Sequence, residues 1–277
     1  MRHSVLDKDQ LKKIHKQEKK EEKAELKQAR EEEKQRQRAE KSSESDSGAV
    51  GDRKKRSYVL NFKGDMAAEA VTTLREEITA ILTLAETDDE VILRLESPGG
   101  MVHAYGLASS QLLRIKNAGI PLTICVDKVA ASGGYMMACL ADKLVSAPFA
   151  IIGSIGVLVQ LPNFHRVLKK NDVDYEIISA GEFKRTLTTF GEITEKGKAK
   201  VQEDVETIHG IFKQWVKDHR PSVDIDKIST GETWVGMQAK ERYMVDEIKT
   251  SDECILAACE TSDVFEVEFD LDRKSVV

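Results

Sequence analysis

The strongest constraint on this chain is an alternation of short apolar strands and amphipathic helices that begins near residue 57. The segments 57–62, 91–95 and 122–126 are rich in β-branched and aliphatic residues, which favour strands. Each is followed by a stretch whose apolar residues recur at helical spacing. This alternation predicts right-handed βαβ units around a parallel sheet, so the fold class is α/β.

The same periodicity predicts the extent of each element. Strands are expected at 57–62, 91–95, 122–126, 143–147, 150–157 and 174–179. Helices are expected at 67–86, 104–117, 132–141, 164–170 and 194–219. On the last helix, one apolar stripe is expected from Val201, Val205, Ile208, Ile211, Phe212 and Trp215.

Charge divides the chain near residue 56. Residues 1–56 contain 18 Lys/Arg and 13 Asp/Glu but few apolar residues, whereas the remainder is acidic. We predict that 1–56 is a charged arm and linker, either a solvated helix or disordered, with a coiled coil as the weaker alternative. The main domain is then 57–250, and 251–277 forms a C-terminal helix, strand and tail. An acidic domain argues against a nucleic-acid partner, which needs a basic patch.

Membrane and metal signals are weak in this sequence. No apolar run is long enough to span a bilayer, and no signal peptide follows the N-terminal charges. The four cysteines form no CxxC pair and have no histidine at zinc spacing. We therefore expect small buried thiols, no metal and no cofactor.

Two glycine-rich turns follow successive strands: Glu96–Gly100 (ESPGG) and Ala130–Tyr135 (AASGGY). Glycines let the main chain approach a ligand closely, and a helix start exposes N–H groups that can bind an anion. Ligands of open α/β sheets bind at the edge where such turns meet. The structural alternative is that the glycines only shape tight turns and that the Ser132 hydroxyl caps a helix.

The Ser132 hydroxyl is the one reactive side chain in the second turn, and a serine nucleophile needs a base. His103 and His165 are the histidines nearest to plausible positions, but neither has an evident carboxylate to orient it. A lysine is the other option, because burial can depress the pKa of an amine. Lys184 is a candidate, although spacing alone does not select it from the other lysines.

Several segments resemble the signal peptide peptidase A family, and most closely its SohB-like inner-membrane members. The matching segments, in order, are LRLESPGGMVHAYG (93–106), the VDKVAASGGYMM stretch that runs to SIGV (126–157), GEFKRT (181–186), TGETWVGMQA (230–239) and YMVDEI (243–248). The resemblance covers residues 58 to 250. It implies a ClpP/crotonase-like fold of repeated ββα units.

The resemblance also implies a function, that of a serine endopeptidase with a Ser-Lys dyad. Its substrates would be peptides or unfolded proteins, such as membrane-associated or signal-peptide remnants, hydrolysed through an acyl-enzyme. The implied roles are nucleophile for Ser132, general base for Lys184, lysine-orienting hydroxyl for Ser154, and oxyanion-hole donors for Gly133 with Gly99 or Gly100. Family members form ring-like homo-oligomers, in which neighbours help to build the active site.

Localisation and two rival functions stay open at this point. Relatives carry a membrane helix before the charged segment and lie in the bacterial inner membrane, whereas this chain starts inside that segment. We expect either an anchor upstream of this sequence or a soluble variant. An acyl-CoA enzyme of the crotonase type would need an acidic catalytic residue that nothing here specifies. A non-catalytic scaffold is disfavoured because Ser132 and Lys184 are both present.

Overall fold

The computed structural model describes residues 53–269. The predicted charged arm, apart from its last residues, and the end of the C-terminal tail lie outside the described residues. Within that range the strands are β1 (Arg56–Lys63), β2 (Glu90–Glu96), β3 (Leu122–Val126), β4 (Val129–Ala131), β5 (Lys143–Ser146), β6 (Ile151–Gly153), β7 (Thr233–Val235), β8 (Glu247–Ile248) and β9 (Asp263–Glu266). The helices are α1 (Val71–Leu84), α2 (Val102–Asn117), α3 (Gly133–Ala138), α4 (His165–Lys170), α5 (Glu195–His219), α6 (Ile225–Ile228), α7 (Gly236–Glu241) and α8 (Ser251–Thr261).

Two sheets organise the molecule. The larger has the strand order β8-β5-β3-β2-β1-β9, and each of its strand pairs is parallel, as the alternation of elements predicts. The smaller has the order β4-β6-β7, with β4 parallel and β7 antiparallel to β6. A bridge between Ser97 and Ala130 joins the end of β2 to β4. Both glycine-rich turns therefore lie at this junction between the sheets.

The larger sheet is covered on both faces, which explains why its central strands read as continuous apolar runs. Leu60, Leu93 and Ile124 face the main core, where they pack with buried residues of α1 and α2. On the opposite face, Ile92 and Cys125 pack with residues of α8. The sheet is thus a rigid support for the turns at its carboxyl edge.

Several sequence predictions differ from the structure; of the four cysteines expected to be buried, for example, Cys259 is exposed. No strand forms at 174–179, where every side chain is exposed and no neighbouring strand is available for pairing. The strand predicted at 150–157 ends at Gly153, because Ser154 has a φ of 52°, which extended chain does not adopt. On α5, Phe212 is buried, but Ile211 from the same predicted stripe is 66% exposed.

A long stretch of the described chain contributes nothing to the core. Between residues 156 and 196 no side chain is buried. The stretch is nevertheless rich in apolar residues, and Ile178 is 98% and Leu158 is 79% exposed. Apolar surface of this extent is typical of an interaction site. This stretch, which we name the exposed segment 156–196, carries Lys184.

Candidate active site

Ser132 lies in a strained turn between β4 and α3. Its backbone has φ 53° and ψ −119°, a region that L residues avoid and that costs about 1–3 kcal/mol. The Ser132 N–H donates a hydrogen bond of 2.8 Å to the carbonyl oxygen of Gly153, which holds this conformation. The side chain is half-exposed, and its hydroxyl has no hydrogen-bond partner among the described residues. Strained backbone that presents a free hydroxyl is the arrangement of a nucleophile elbow.

The turn after β2 packs directly against this serine. Gly99 has a φ of 90°, and a Cβ added there would lie 2.7 Å from the Cβ of Ser132 and 2.7 Å from the nitrogen of Gly133. Only glycine permits such an approach. The two turns that the sequence predicts to meet at one edge of the sheet are therefore in van der Waals contact.

Each of the two glycine-rich turns has a backbone N–H group without a partner in the described chain. Within the described part of the chain, neither the Gly100 nor the Gly133 N–H donates a hydrogen bond to the protein. The Gly99 N–H is occupied instead, since it donates to the Ser97 hydroxyl at 3.1 Å. Unpaired N–H groups next to a nucleophile are the elements of an oxyanion hole. Of the two candidate glycines in the ESPGG turn, Gly100 is the one with a donor available.

Ser154 lies on the neighbouring turn, directly after β6. Its φ of 52° is also in the left-handed region. The Ser154 N–H donates to the carbonyl oxygen of Glu232 at 2.7 Å, while its half-buried hydroxyl has no partner in the described residues. The carbonyl oxygen of Gly153 accepts the Ser132 N–H, and Ser154 is the residue directly after Gly153. A second free hydroxyl thus stands next to the nucleophile candidate.

Within the described residues, no hydrogen bond joins Lys184 to Ser132. It lies in an exposed turn, where its N–H donates to the carbonyl oxygen of Gly181 at 3.1 Å. Its amine makes no hydrogen bond or ion pair with any described residue. The histidine alternatives are no closer to forming a triad, because neither the His103 nor the His165 ring bonds to the serine. Among the described residues, no lysine or histidine side chain therefore bonds to the Ser132 hydroxyl.

Two buried residues support the site, and sequence reasoning missed both. The Ser97 hydroxyl contacts the Tyr105 hydroxyl at 2.5 Å, and Tyr105 donates to the carbonyl oxygen of Asp65 at 2.7 Å. Burial raises the pKa of Tyr105, so the phenol keeps its proton. Both residues stand inside the LRLESPGGMVHAYG segment, but no sequence signal indicates that their side chains meet.

Between residues 53 and 269, no group of three His, Cys, Asp or Glu side chains converges in the way that metal ligands do. No helix in that range combines the length and the apolar character needed to cross a bilayer.

Family comparisons agree with the predicted resemblance. Residues 114–264 match the model of "Peptidase family S49", and residues 1–112 match "Peptidase family S49 N-terminal". The chain is 59% identical over 226 residues to the "Probable protease SohB" of Haemophilus influenzae, covering 82% of this chain and 64% of that protein. It is 51% identical over 226 residues to the protein of the same name from Buchnera aphidicola subsp. Acyrthosiphon pisum, with 82% and 67% covered. The chain thus spans about two thirds of the length of these relatives.

Solved structures support the fold. A lysine-to-alanine variant of the 1510-N membrane-bound stomatin-specific protease, in complex with a substrate peptide, aligns with a TM-score of 0.52 at 16% identity. The alignment covers 79% of this chain and 94% of that one. A serine-to-alanine variant of the same protease aligns with a TM-score of 0.52 at 15% identity, covering 78% and 99%. The α/β fold, with its ClpP/crotonase-like arrangement, is thereby confirmed.

Proposed function

Because the chain belongs to peptidase family S49, we propose that it is a serine endopeptidase in which Ser132 and Lys184 form the catalytic dyad. One observation carries the assignment of the nucleophile. Ser132 combines a strained φ of 53° with a hydroxyl that has no partner among the described residues, and the N–H of the next residue, Gly133, is likewise unpaired there. A serine held this way for packing alone would have no reason to retain the strain.

The chemistry is acyl transfer. The amine of Lys184 accepts the proton of the Ser132 hydroxyl as the serine oxygen attacks a peptide carbonyl. The N–H groups of Gly100 and Gly133 bind the oxyanion that develops in the tetrahedral intermediate. The lysine then donates the proton to the leaving amine, and water hydrolyses the acyl-enzyme. In this proposal the Ser154 hydroxyl orients the lysine amine.

Self-association is the step that completes this site in our proposal. The exposed segment 156–196 has no buried side chain, although its residues include many large apolar ones. Burial of apolar surface stabilises by about 25 cal/mol per Å², so the segment gains from covering itself with another copy of the chain. Packing of the segment in a homo-oligomer orders the turn that carries Lys184. The amine then reaches a Ser132, either of its own chain or of the neighbour.

The substrates that suit this site are extended peptide segments. Ser132 lies at a surface turn, so a folded protein would have to unfold locally to present a carbonyl there. We propose unfolded or membrane-associated peptides, such as remnants of signal peptides, and action at the bacterial inner membrane. Support for that location comes from a structural neighbour that is described as membrane-bound and was solved with a substrate peptide.

The function is tested by mass spectrometry of the products released from a denatured, alkylated protein. The full chain should release peptides, and Ser132→Ala and Lys184→Ala should each release none. Lys170→Ala, which changes an exposed lysine in the same segment, is the matched control and should cleave normally. Normal cleavage by Ser132→Ala would overturn the nucleophile, and normal cleavage by Lys184→Ala would overturn the base.

The oligomer is tested by light scattering coupled to size exclusion. Ile178→Asp places a charge on the most exposed apolar side chain of the segment and should shift the protein towards monomer with a parallel loss of activity. Leu84→Asp, which alters an apolar residue that is 63% exposed at the end of α1, should change neither. A monomeric wild type with full activity would contradict the assembly step.

A further inference from the structure

A buried chain of hydrogen bonds runs beneath the candidate oxyanion hole. The Tyr105 hydroxyl has one proton, which it donates to the Asp65 carbonyl oxygen at 2.7 Å. In the contact of 2.5 Å between Ser97 and Tyr105, the Ser97 hydroxyl must therefore be the donor. Its lone pairs remain free to accept the Gly99 N–H at 3.1 Å. Every bond in this chain thus has a fixed direction: donation starts at the Gly99 N–H of the ESPGG turn, passes through Ser97 and Tyr105, and ends at the Asp65 carbonyl oxygen.

The main chain of Ser97 links the same turn to the nucleophile. Its N–H donates to the carbonyl oxygen of Val129 at 2.8 Å, and its carbonyl oxygen accepts from the Ala131 N–H at 3.0 Å. Val129 and Ala131 are the first and last residues of β4, the strand that passes directly into Ser132. A displacement of Ser97 would therefore move both the ESPGG turn and the backbone of β4 that leads into Ser132.

The Tyr105 ring packs directly beneath the first turn of α3. A Cβ added to Gly133 would overlap the ring, so the Gly133 backbone rests directly on it. On its other side the ring meets Phe62 edge-on, with the centroids 6.5 Å apart. Ser97 and Tyr105 are both fully buried, so neither can touch a substrate. Any influence on the reaction must act through the backbone that they hold.

We propose that Ser97 and Tyr105 are positioning residues that aim the two oxyanion-hole donors. Ser97 draws the Gly99 N–H into the interior, which leaves the next N–H, that of Gly100, facing the serine. Tyr105 orients the Ser97 hydroxyl, whose oxygen accepts the Gly99 N–H. Its ring also determines the position of the Gly133 backbone, which packs on it. The inference rests on the proposed function, because it assigns support to the same site.

The test compares Tyr105→Phe and Ser97→Ala with the wild-type chain. Tyr105→Phe keeps the ring beneath Gly133 and removes only the hydroxyl, so it should fold even where Ser97→Ala does not. Ser109→Ala is the matched control, since Ser109 is a buried serine of α2 whose hydroxyl has no partner in the described residues. We expect kcat to fall about 10- to 100-fold in the two test variants with little change in KM. The control should retain both constants.

A second readout separates positioning from mere stability. A peptidyl boronate forms a tetrahedral adduct on the serine and uses the oxyanion hole, whereas a bound substrate peptide does not. The affinity for the boronate should fall by the same factor as kcat/KM in Tyr105→Phe, measured well below its melting temperature. If melting temperature falls while kcat and boronate affinity hold, the residues are only structural and the inference is wrong. If the wild-type chain neither cleaves peptides nor binds the boronate, the proposed function itself has failed.

Discussion

The backbone N–H of Ser132 donates a hydrogen bond of 2.8 Å to the carbonyl oxygen of Gly153. This bond joins the turn after β4 to the turn after β6, where Ser154 follows. Ser132 and Ser154 have φ angles of 53° and 52°, so two L residues in the left-handed region stand on adjoining turns. Backbone strain of this kind is typical of functional sites. It persists only where interactions in the surrounding structure offset its energetic cost.

The strain at Ser132 predicts an inverted order of stability between two variants. Ser132→Gly should be more stable than Ser132→Ala by about 1 kcal/mol, because glycine adopts this backbone without cost. Both variants should lack peptidase activity. Thermal unfolding measures the difference, which corresponds to about 2–4 °C in melting temperature for a domain of this size.

Ser110 provides the control for that comparison. It is an exposed residue of α2, where glycine is less favourable than alanine by about 1 kcal/mol. The Ser110→Gly variant should therefore melt below Ser110→Ala, the reverse of the order at Ser132. If Ser132→Gly also melted below Ser132→Ala, the turn at Ser132 would not be strained.

The contact between the two turns predicts a steric effect at Gly99. Gly99→Ala places a Cβ within 2.7 Å of the Ser132 Cβ at a φ of 90°, so the turns must separate and turnover should be lost. Gly106→Ala is the control, because a Cβ at that helical position meets open space and should slightly stabilise α2. Peptide hydrolysis and melting curves of the two variants check this. Normal turnover in Gly99→Ala would show that the close approach is dispensable.

A buried carboxyl on α1 predicts how stability depends on pH. One oxygen of Glu77 accepts the Phe269 N–H at 3.1 Å, and the other has no partner in the described residues. Burial raises the pKa of Glu77 above its usual value. The protonated group therefore contributes stability to the folded state at pH values below the usual carboxyl range. That contribution is lost as the pH rises through the raised pKa. Glu77→Gln should therefore raise the melting temperature at pH 8 and lose its advantage in acid. Glu76→Gln, at an exposed neighbour, should show no such pH dependence.

A pair of thiols predicts selective alkylation. Hydrogen bonding with Cys125, aided by the charge of Lys143, lowers the pKa of Cys254 to about 7, whereas burial raises the pKa of Cys139 to about 12. In a Cys259→Ser background, iodoacetamide should modify Cys254 with a half-maximal rate near pH 7 and leave Cys139 unmodified. Mass spectrometry of the alkylated peptides measures this.

The control removes the thiol partner. Cys125→Ala should move the midpoint for Cys254 upwards, because the hydrogen bond that stabilises the thiolate is gone. An unchanged midpoint would mean that the helix start and nearby charges alone set the reactivity.

The sequence predicts the parts of this molecule that depend on local patterns. The strand at 122–126 forms with the expected bounds, and the two glycine-rich turns meet at one edge of the sheet. These predictions are confirmed because a continuous apolar run indicates a buried strand. Glycines, in turn, indicate backbone conformations and close approaches that other residues do not allow. The parallel order of the larger sheet follows from the βαβ alternation.

Other parts depend on what a segment packs against, which the sequence does not specify. The β-like pattern at 174–179 lacks a neighbouring strand in the described chain, so it forms none. Ile211 belongs to an apolar stripe whose outer part no described residue covers. The contact between Ser97 and Tyr105 joins a turn to a helix through side chains whose directions only the fold determines. Predictions of this kind need the tertiary structure.

Covalent labelling with a fluorophosphonate, followed by mass spectrometry to locate the adduct, tests the proposed dyad of Ser132 and Lys184 more directly than any mutant series. The reagent phosphonylates an activated serine and releases fluoride, so it reports the nucleophile and its base together. The proposed dyad predicts a single adduct on Ser132, and a labelling rate in Lys184→Ala that is lower by about 10²–10⁴-fold. An adduct on another residue, or an unchanged rate in Lys184→Ala, would contradict it.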